Sequence, residues 1–155
     1  RKFFDFHSKI KFLVNLIKKE DNYEDKVSSY TINNKEMYFF NDFINSDLSQ
    51  ISFNQKFTET YKDYLPDLLV IIPTKFDVYC NFIEKSLCRK KNYKSKIISN
   101  RLFSNVEVVD STQFLIKKAE QELINDNFIY DLKDTHLNSL GNKYLSEFFY
   151  EKSNQ

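Results

Sequence analysis

Asp134 and His136 stand two positions apart in the run Lys133-Asp134-Thr135-His136-Leu137-Asn138. In a turn or extended loop, that spacing brings a carboxylate to the imidazole Nδ1. The carboxylate would fix the ring tautomer and stabilise the imidazolium. Nε2 would then be free to take a proton from a hydroxyl and return it to a leaving group. A histidine suits both steps because its ordinary pKa lies near neutrality. The same D-x-H spacing also arises in plain surface loops and helix caps. Thr74, Lys75, Tyr79 and Asn138 are the candidate substrate contacts. Thr74, Lys75, Asp77 and Tyr79 follow an apolar run and could line one cleft, but each also reads as a helix-start or surface residue. Asn138 is placed to cap the next helix. Gly141, the single glycine, sits where a close approach would forbid a side chain, or else is tolerated early in that helix. His7, beside Phe6 and Ser8, reads as a helix-surface histidine.

The elements that must position these residues show in the apolar spacing. Phe6, Ile10, Leu13, Val14 and Ile17 make one stripe on a helix from about Phe3 to Lys19, within residues 1–20. Residues 21–50 break into β-prone pieces, Val27 to Ile32 and Glu36 to Phe40, around Asn33-Asn34, and predict an irregular or hairpin-like insertion. Residues 51–155 read as βα units ending in the D-x-H block. Phe53, Phe57, Tyr61 and Tyr64 mark a helix that stops at Pro66, and Asp67 to Ile72 follows as a strand buried on both faces. A loop, Pro73-Thr74-Lys75, leads to helical spacing from about Phe76 to Leu87. Val106 to Val109 is the next strand. Asp110-Ser111-Thr112 offers cap chemistry for a helix carrying Leu115, Ala119 and Leu123. After Phe128-Ile129-Tyr130 and the D-x-H run comes a last helix with Leu140, Tyr144, Leu145, Phe148 and Phe149 inward.

This alternation predicts one α/β domain over residues 1–155, a parallel sheet with helices on both faces in a three-layer α/β/α arrangement. Two or three strands are visible where such sheets have about five or six. The expectation is therefore a segment that is incomplete or that pairs with something else.

Composition narrows the function. The chain has 155 residues, 41% hydrophobic and 17% aromatic, enough for a real core. Lys and Arg number 23 against 22 for Asp and Glu, a formal net charge of +1, so nucleic acid is not the expected partner. The longest apolar run, Leu68 to Ile72, is far short of the roughly 20 residues that span a bilayer. The first residues lack the apolar block of a signal peptide. The compartment, bacterial cytoplasm or cell envelope, is left open. Cys80 and Cys88 lie eight apart on a predicted helix, matching neither a disulfide framework nor a zinc site; two packed thiols are expected. With two histidines and no His/Asp cluster, no metal or cofactor is expected and metal-dependent deacetylation is disfavoured.

The block Asp134-Thr135-His136-Leu137-Asn138-Ser139-Leu140-Gly141-Asn142 resembles the last conserved block, D-x-H-x-N-x-x-G, of SGNH/GDSL-type hydrolases, ahead of that family's closing helix. Leu68 to Tyr79 and Val106 to Asp110 are similar to segments of SGNH-like proteins from surface-polysaccharide gene clusters. The resemblance covers about the last ninety residues and implies a flavodoxin-like SGNH fold of which this chain is a C-terminal fragment. It further implies that Asp134 orients, that His136 acts as general base and then acid, and that a serine forms an acyl-enzyme on an acyl or acetyl ester. The implied partner is an acylated small molecule or carbohydrate.

The departures are equally plain. No Gly-Asp-Ser is present, nor the oxyanion-hole glycine. Asn41-Asp42 resembles the family's Asn-Asp dipeptide but follows Phe39-Phe40, without a glycine. The serine would come from an upstream segment, or from downstream as in alginate-acetyltransferase-like relatives; the closing amphipathic helix and polar tail favour upstream. The alternative function is a non-catalytic binding or assembly module that offers an aromatic-rich surface to a partner.

Overall fold

The computed structural model describes residues 26–45, 67–88, 93–99 and 103–153. The predicted helices of residues 1–20 and 53–64, with His7, lie outside these residues. The first described elements are β1 (Val27–Ile32) and β2 (Lys35–Phe40), an antiparallel hairpin with Ile32 opposite Lys35 and Val27 opposite Phe40. Asn33 and Asn34 close it at φ 50° and 61°. A two-residue hairpin turn needs this left-handed backbone at both positions, and Asn tolerates it better than most residues. The period of two then puts Ile32, Met37 and Phe39 on one buried face. Of the two forms expected for residues 21–50, the hairpin is the one seen over 27–40. Its apolar face is part of the core.

A short helix, α1 (Asn41–Asn45), follows. Next, β3 (Leu68–Ile71) pairs in parallel with β4 (Glu107–Asp110), Leu68 opposite Glu107 and Ile71 opposite Asp110. The strand expected to be buried on both faces is not. Only Ile71 of β3 is buried, and Ile72 just beyond it is 49% exposed. A continuous apolar run signals a strand with helices over both faces; among the described residues β3 pairs with β4 alone, and its first three side chains are half-buried.

Thr74 starts α2 (Lys75–Ile83) with a reciprocal cap. Its hydroxyl accepts the Asp77 N–H, and the Asp77 carboxylate accepts the Thr74 N–H at 3.1 Å. After α2, a single 3₁₀ turn over Lys85–Leu87 reverses the chain and brings Cys88 back to Cys80, with which it forms a disulfide. This corrects the expectation of two packed thiols on one helix. The helix ends at Ile83, so the eight-residue spacing closes a loop instead of running along an axis.

The helix α3 (Tyr93–Ile98) precedes β4. Helix α4 (Thr112–Leu123) buries Leu115, Ala119 and Leu123, the predicted stripe. Its start draws on the predicted run Asp110-Ser111-Thr112. Asp110 accepts the Thr112 N–H at 2.9 Å, while the Ser111 hydroxyl donates to the Ile71 carbonyl at 2.7 Å and ties the helix to β3. The last helix, α5 (Ser139–Ser153), buries Gly141, Leu145 and Phe148, whereas Phe149, expected inward, is substantially exposed. The result is a mixed α/β domain with parallel and antiparallel sheet elements and several helices. Its core lies between the hairpin, α2, α4, α5 and the segment Phe128–Tyr130.

Candidate functional site

The D-x-H run sits on a turn built by its own side chains. Tyr130 and Leu137 form an antiparallel bridge, and the Asp131 N–H donates to the His136 carbonyl at 2.9 Å, so the two ends of the turn are closed. Inside it, Asp131 Oδ1 accepts the N–H groups of Lys133 (2.7 Å) and Asp134 (3.2 Å). An aspartate that caps the amides following it makes the chain turn without a sheet or helix. These bonds, that from Lys133 foremost, hold the Asp131 carboxyl below its usual pKa range.

Within this turn Asp134 Oδ1 accepts the His136 N–H at 2.7 Å and lies 3.3 Å from the His136 Nδ1, within ion-pair range. Both side chains face outward, His136 at 75% and Asp134 at 54% exposure. The two residues singled out by sequence are therefore brought together, with the imidazole directed to where a solvent-borne group can reach it.

Lys75 supports the turn from beneath. Only 2% of it is exposed, and its Nζ donates to the carbonyls of Asp131 (3.0 Å), Leu132 (3.3 Å) and Asp134 (2.5 Å), while lying 5.1 Å from the centre of the Phe39 ring. Burial pulls its pKa down to about 8, against the opposing pull of Asp134 and Asp131. The Leu132 carbonyl also accepts the Tyr38 N–H at 2.8 Å, so the outer edge of β2 holds the same turn. The hydroxyl of Tyr130 donates to the Pro73 carbonyl at 2.6 Å. This last bond joins the flank of the turn to the loop leaving β3, the end of the strand where open α/β sheets gather their ligand groups.

Asn138 fixes the far side. Its Oδ1 accepts the Gly141 N–H at 3.0 Å, capping α5, and its Nδ2 donates to the Phe128 carbonyl at 2.6 Å. Tyr79 is fully buried, and its hydroxyl accepts the Ile129 N–H at 2.9 Å. Burial pushes the pKa of Tyr79 up to about 12, and that of Tyr130 also rises.

Of the candidate substrate contacts, then, Thr74 caps α2, Lys75 and Asn138 hold the turn and its flank, and Tyr79 lies in the core. Each uses polar atoms on the protein's own chain. Asn41 and Asp42 open α1, where Asn41 Oδ1 accepts the Ser28 hydroxyl at 2.6 Å. Sequence reasoning missed Asp131, although an aspartate two and three residues ahead of amides it can cap was the available signal.

Among the described residues, no group of three or more His, Cys, Asp or Glu side chains converges as a metal site would, and no helix is long and apolar enough to cross a membrane. Comparisons with protein-family models, curated proteins and solved structures gave no match.

Proposed function

We propose that this chain carries the acid–base part of an SGNH-type ester hydrolase or O-acyltransferase, with the nucleophilic serine supplied from outside these 155 residues. The observation that carries this reading is the Asp134 carboxylate 3.3 Å from the His136 Nδ1, on a turn tied to the loop leaving β3. The order β3, α2, β4, α4 with parallel pairing is that of βα units. In this reading the pair β3/β4 belongs to the larger sheet of a three-layer α/β/α domain, of which the chain is the C-terminal part.

His136 Nε2 accepts the proton of the serine hydroxyl as its oxygen attacks the ester carbonyl carbon. The imidazolium, stabilised by Asp134, returns that proton to the departing alkoxide, leaving an acyl-enzyme. Water or a sugar hydroxyl then gives its proton to Nε2, attacks the acyl carbon and regenerates the serine. Water gives hydrolysis; a sugar gives transfer. The acyl group is most simply acetyl, and the resemblance to proteins of surface-polysaccharide clusters supports an acylated carbohydrate as its source or acceptor.

Aryl acetate hydrolysis by the full-length protein tests this. His136→Ala should lower kcat/KM by about a hundredfold or more, the weight of a general base, and Asp134→Asn should lower it too. Turnover indifferent to His136→Ala would overturn the acid–base reading, and no turnover by the full-length wild type would favour a binding or assembly module.

A further inference from the structure

Asp134 is held at both of its main-chain polar atoms. Its N–H donates to Asp131 Oδ1 at 3.2 Å, and its carbonyl accepts from Lys75 Nζ at 2.5 Å. With both neighbouring peptide planes fixed, the carboxylate keeps little freedom beyond its own side-chain rotation. That carboxylate faces the His136 ring.

Lys75 is an unusual choice for such a support. An ammonium has three donors and no acceptor, and here all three have carbonyl partners, those of Asp131, Leu132 and Asp134. None is left for a ligand, and at 2% exposure the group is sealed from solvent. Burying a cation is costly unless it is fully bonded. A turn whose carbonyls converge on one point supplies that bonding, and in exchange the cation prevents the carbonyls from turning apart.

We propose that Lys75 is the positioning residue of this site: its ammonium, beneath the 131–134 turn, sets where the Asp134 carboxylate stands relative to the His136 ring. The proposal rests on the reading of Asp134 and His136 as an acid–base pair. It deepens that reading by moving Lys75 from substrate contact to support.

The test is the imidazole tautomer of His136, read from 15N chemical shifts in full-length protein labelled at histidine, at a pH where the ring is neutral. The signals are assigned by their loss in His136→Gln. In the wild type the carboxylate favours the Nδ1–H form. Lys75→Met keeps the aliphatic stem against Phe39 and removes every donor. It should lower the Nδ1–H to Nε2–H ratio by about threefold, the size expected of an exposed ion pair at 3.3 Å, in the same direction as Asp134→Ala should. Lys75→Gln, which keeps an amide donor without the charge, should fall between.

An unchanged ratio in folded Lys75→Met would overturn the proposal. So would failure of both Lys75 variants to fold, which would leave Lys75 a plain structural residue. Aryl acetate turnover separates the two layers. If His136→Ala retains activity, the acid–base reading fails whatever the spectra show. If His136→Ala abolishes activity while the tautomer ignores Lys75, only the positioning role fails.

Discussion

Gly141 in α5 lies against the carbonyl oxygen of Ile129 so closely that a Cβ there would stand 2.0 Å from it, and 2.7 Å from Leu137 Cδ2. The same carbonyl accepts the Asn138 N–H at 3.1 Å. Helix α5 and the segment that carries the D-x-H turn therefore meet at backbone distance, and glycine is what permits it. Gly141→Ala should cost about 2 to 4 kcal/mol, because backbone has to move to admit the methyl group. Urea denaturation measures this directly, and an unshifted midpoint would contradict the packing described.

Asn138 works at the same junction with both ends of its amide. Asn138→Ala loses the α5 cap and the bond to Phe128 and should destabilise by about 2 kcal/mol. Asn138→Asp keeps an acceptor for the Gly141 N–H but has no donor for the Phe128 carbonyl, so its denaturation midpoint should lie between. Equal midpoints for the two variants would mean that the bond from the Gly141 N–H contributes nothing.

The dependence of stability on pH should peak on the alkaline side. Burial lowers the Lys75 pKa from 10.5 to about 8, so between those values the unfolded chain holds more protons than the folded one. Stability rises with pH across that window. Tyr79 has the opposite sign. Burial raises it from 10.0 to about 12, so its contribution is complete below pH 10 and is lost as pH climbs towards 12. Denaturation series from pH 7 to 11 should rise above pH 8 and fall above about 10, and Lys75→Met should abolish the rising limb alone. A rising limb that survives in Lys75→Met would contradict the burial of this ammonium.

Much of this was legible in the sequence, for reasons specific to each element. The stripe Leu115, Ala119, Leu123 appears because helical period shows in any amphipathic segment. Asn33-Asn34 marks the hairpin because few residues accept two consecutive left-handed positions. Asp134 and His136 are neighbours along the chain, so their meeting needs only a turn. Lys75 was less legible. Its partners are main-chain carbonyls more than fifty residues away, and a carbonyl carries no signature in the residue type that bears it. The disulfide was missed for a related reason. Spacing along a presumed helix says nothing about where that helix stops, and α2 stops five residues before Cys88.

The disulfide gives its own prediction. Closing a loop of eight residues should stabilise the fold by roughly 2 to 3 kcal/mol, mainly by restricting the unfolded chain. Protein purified without reductant should show no thiol at Cys80 or Cys88 on alkylation and mass mapping. The double variant Cys80→Ala, Cys88→Ala should unfold at correspondingly lower denaturant. Alkylation of both thiols in native, unreduced protein would contradict the bond.

The central claim is that His136 activates a serine for attack on an acyl carbon. Reaction of the full-length protein with a fluorophosphonate probe, followed by intact mass, tests it most directly, because such a probe is attacked by an activated serine and stays attached. The wild type should take up one equivalent, and His136→Ala should take up almost none over the same time. Labelling that proceeds equally in His136→Ala, or no labelling of the wild type, would contradict the account.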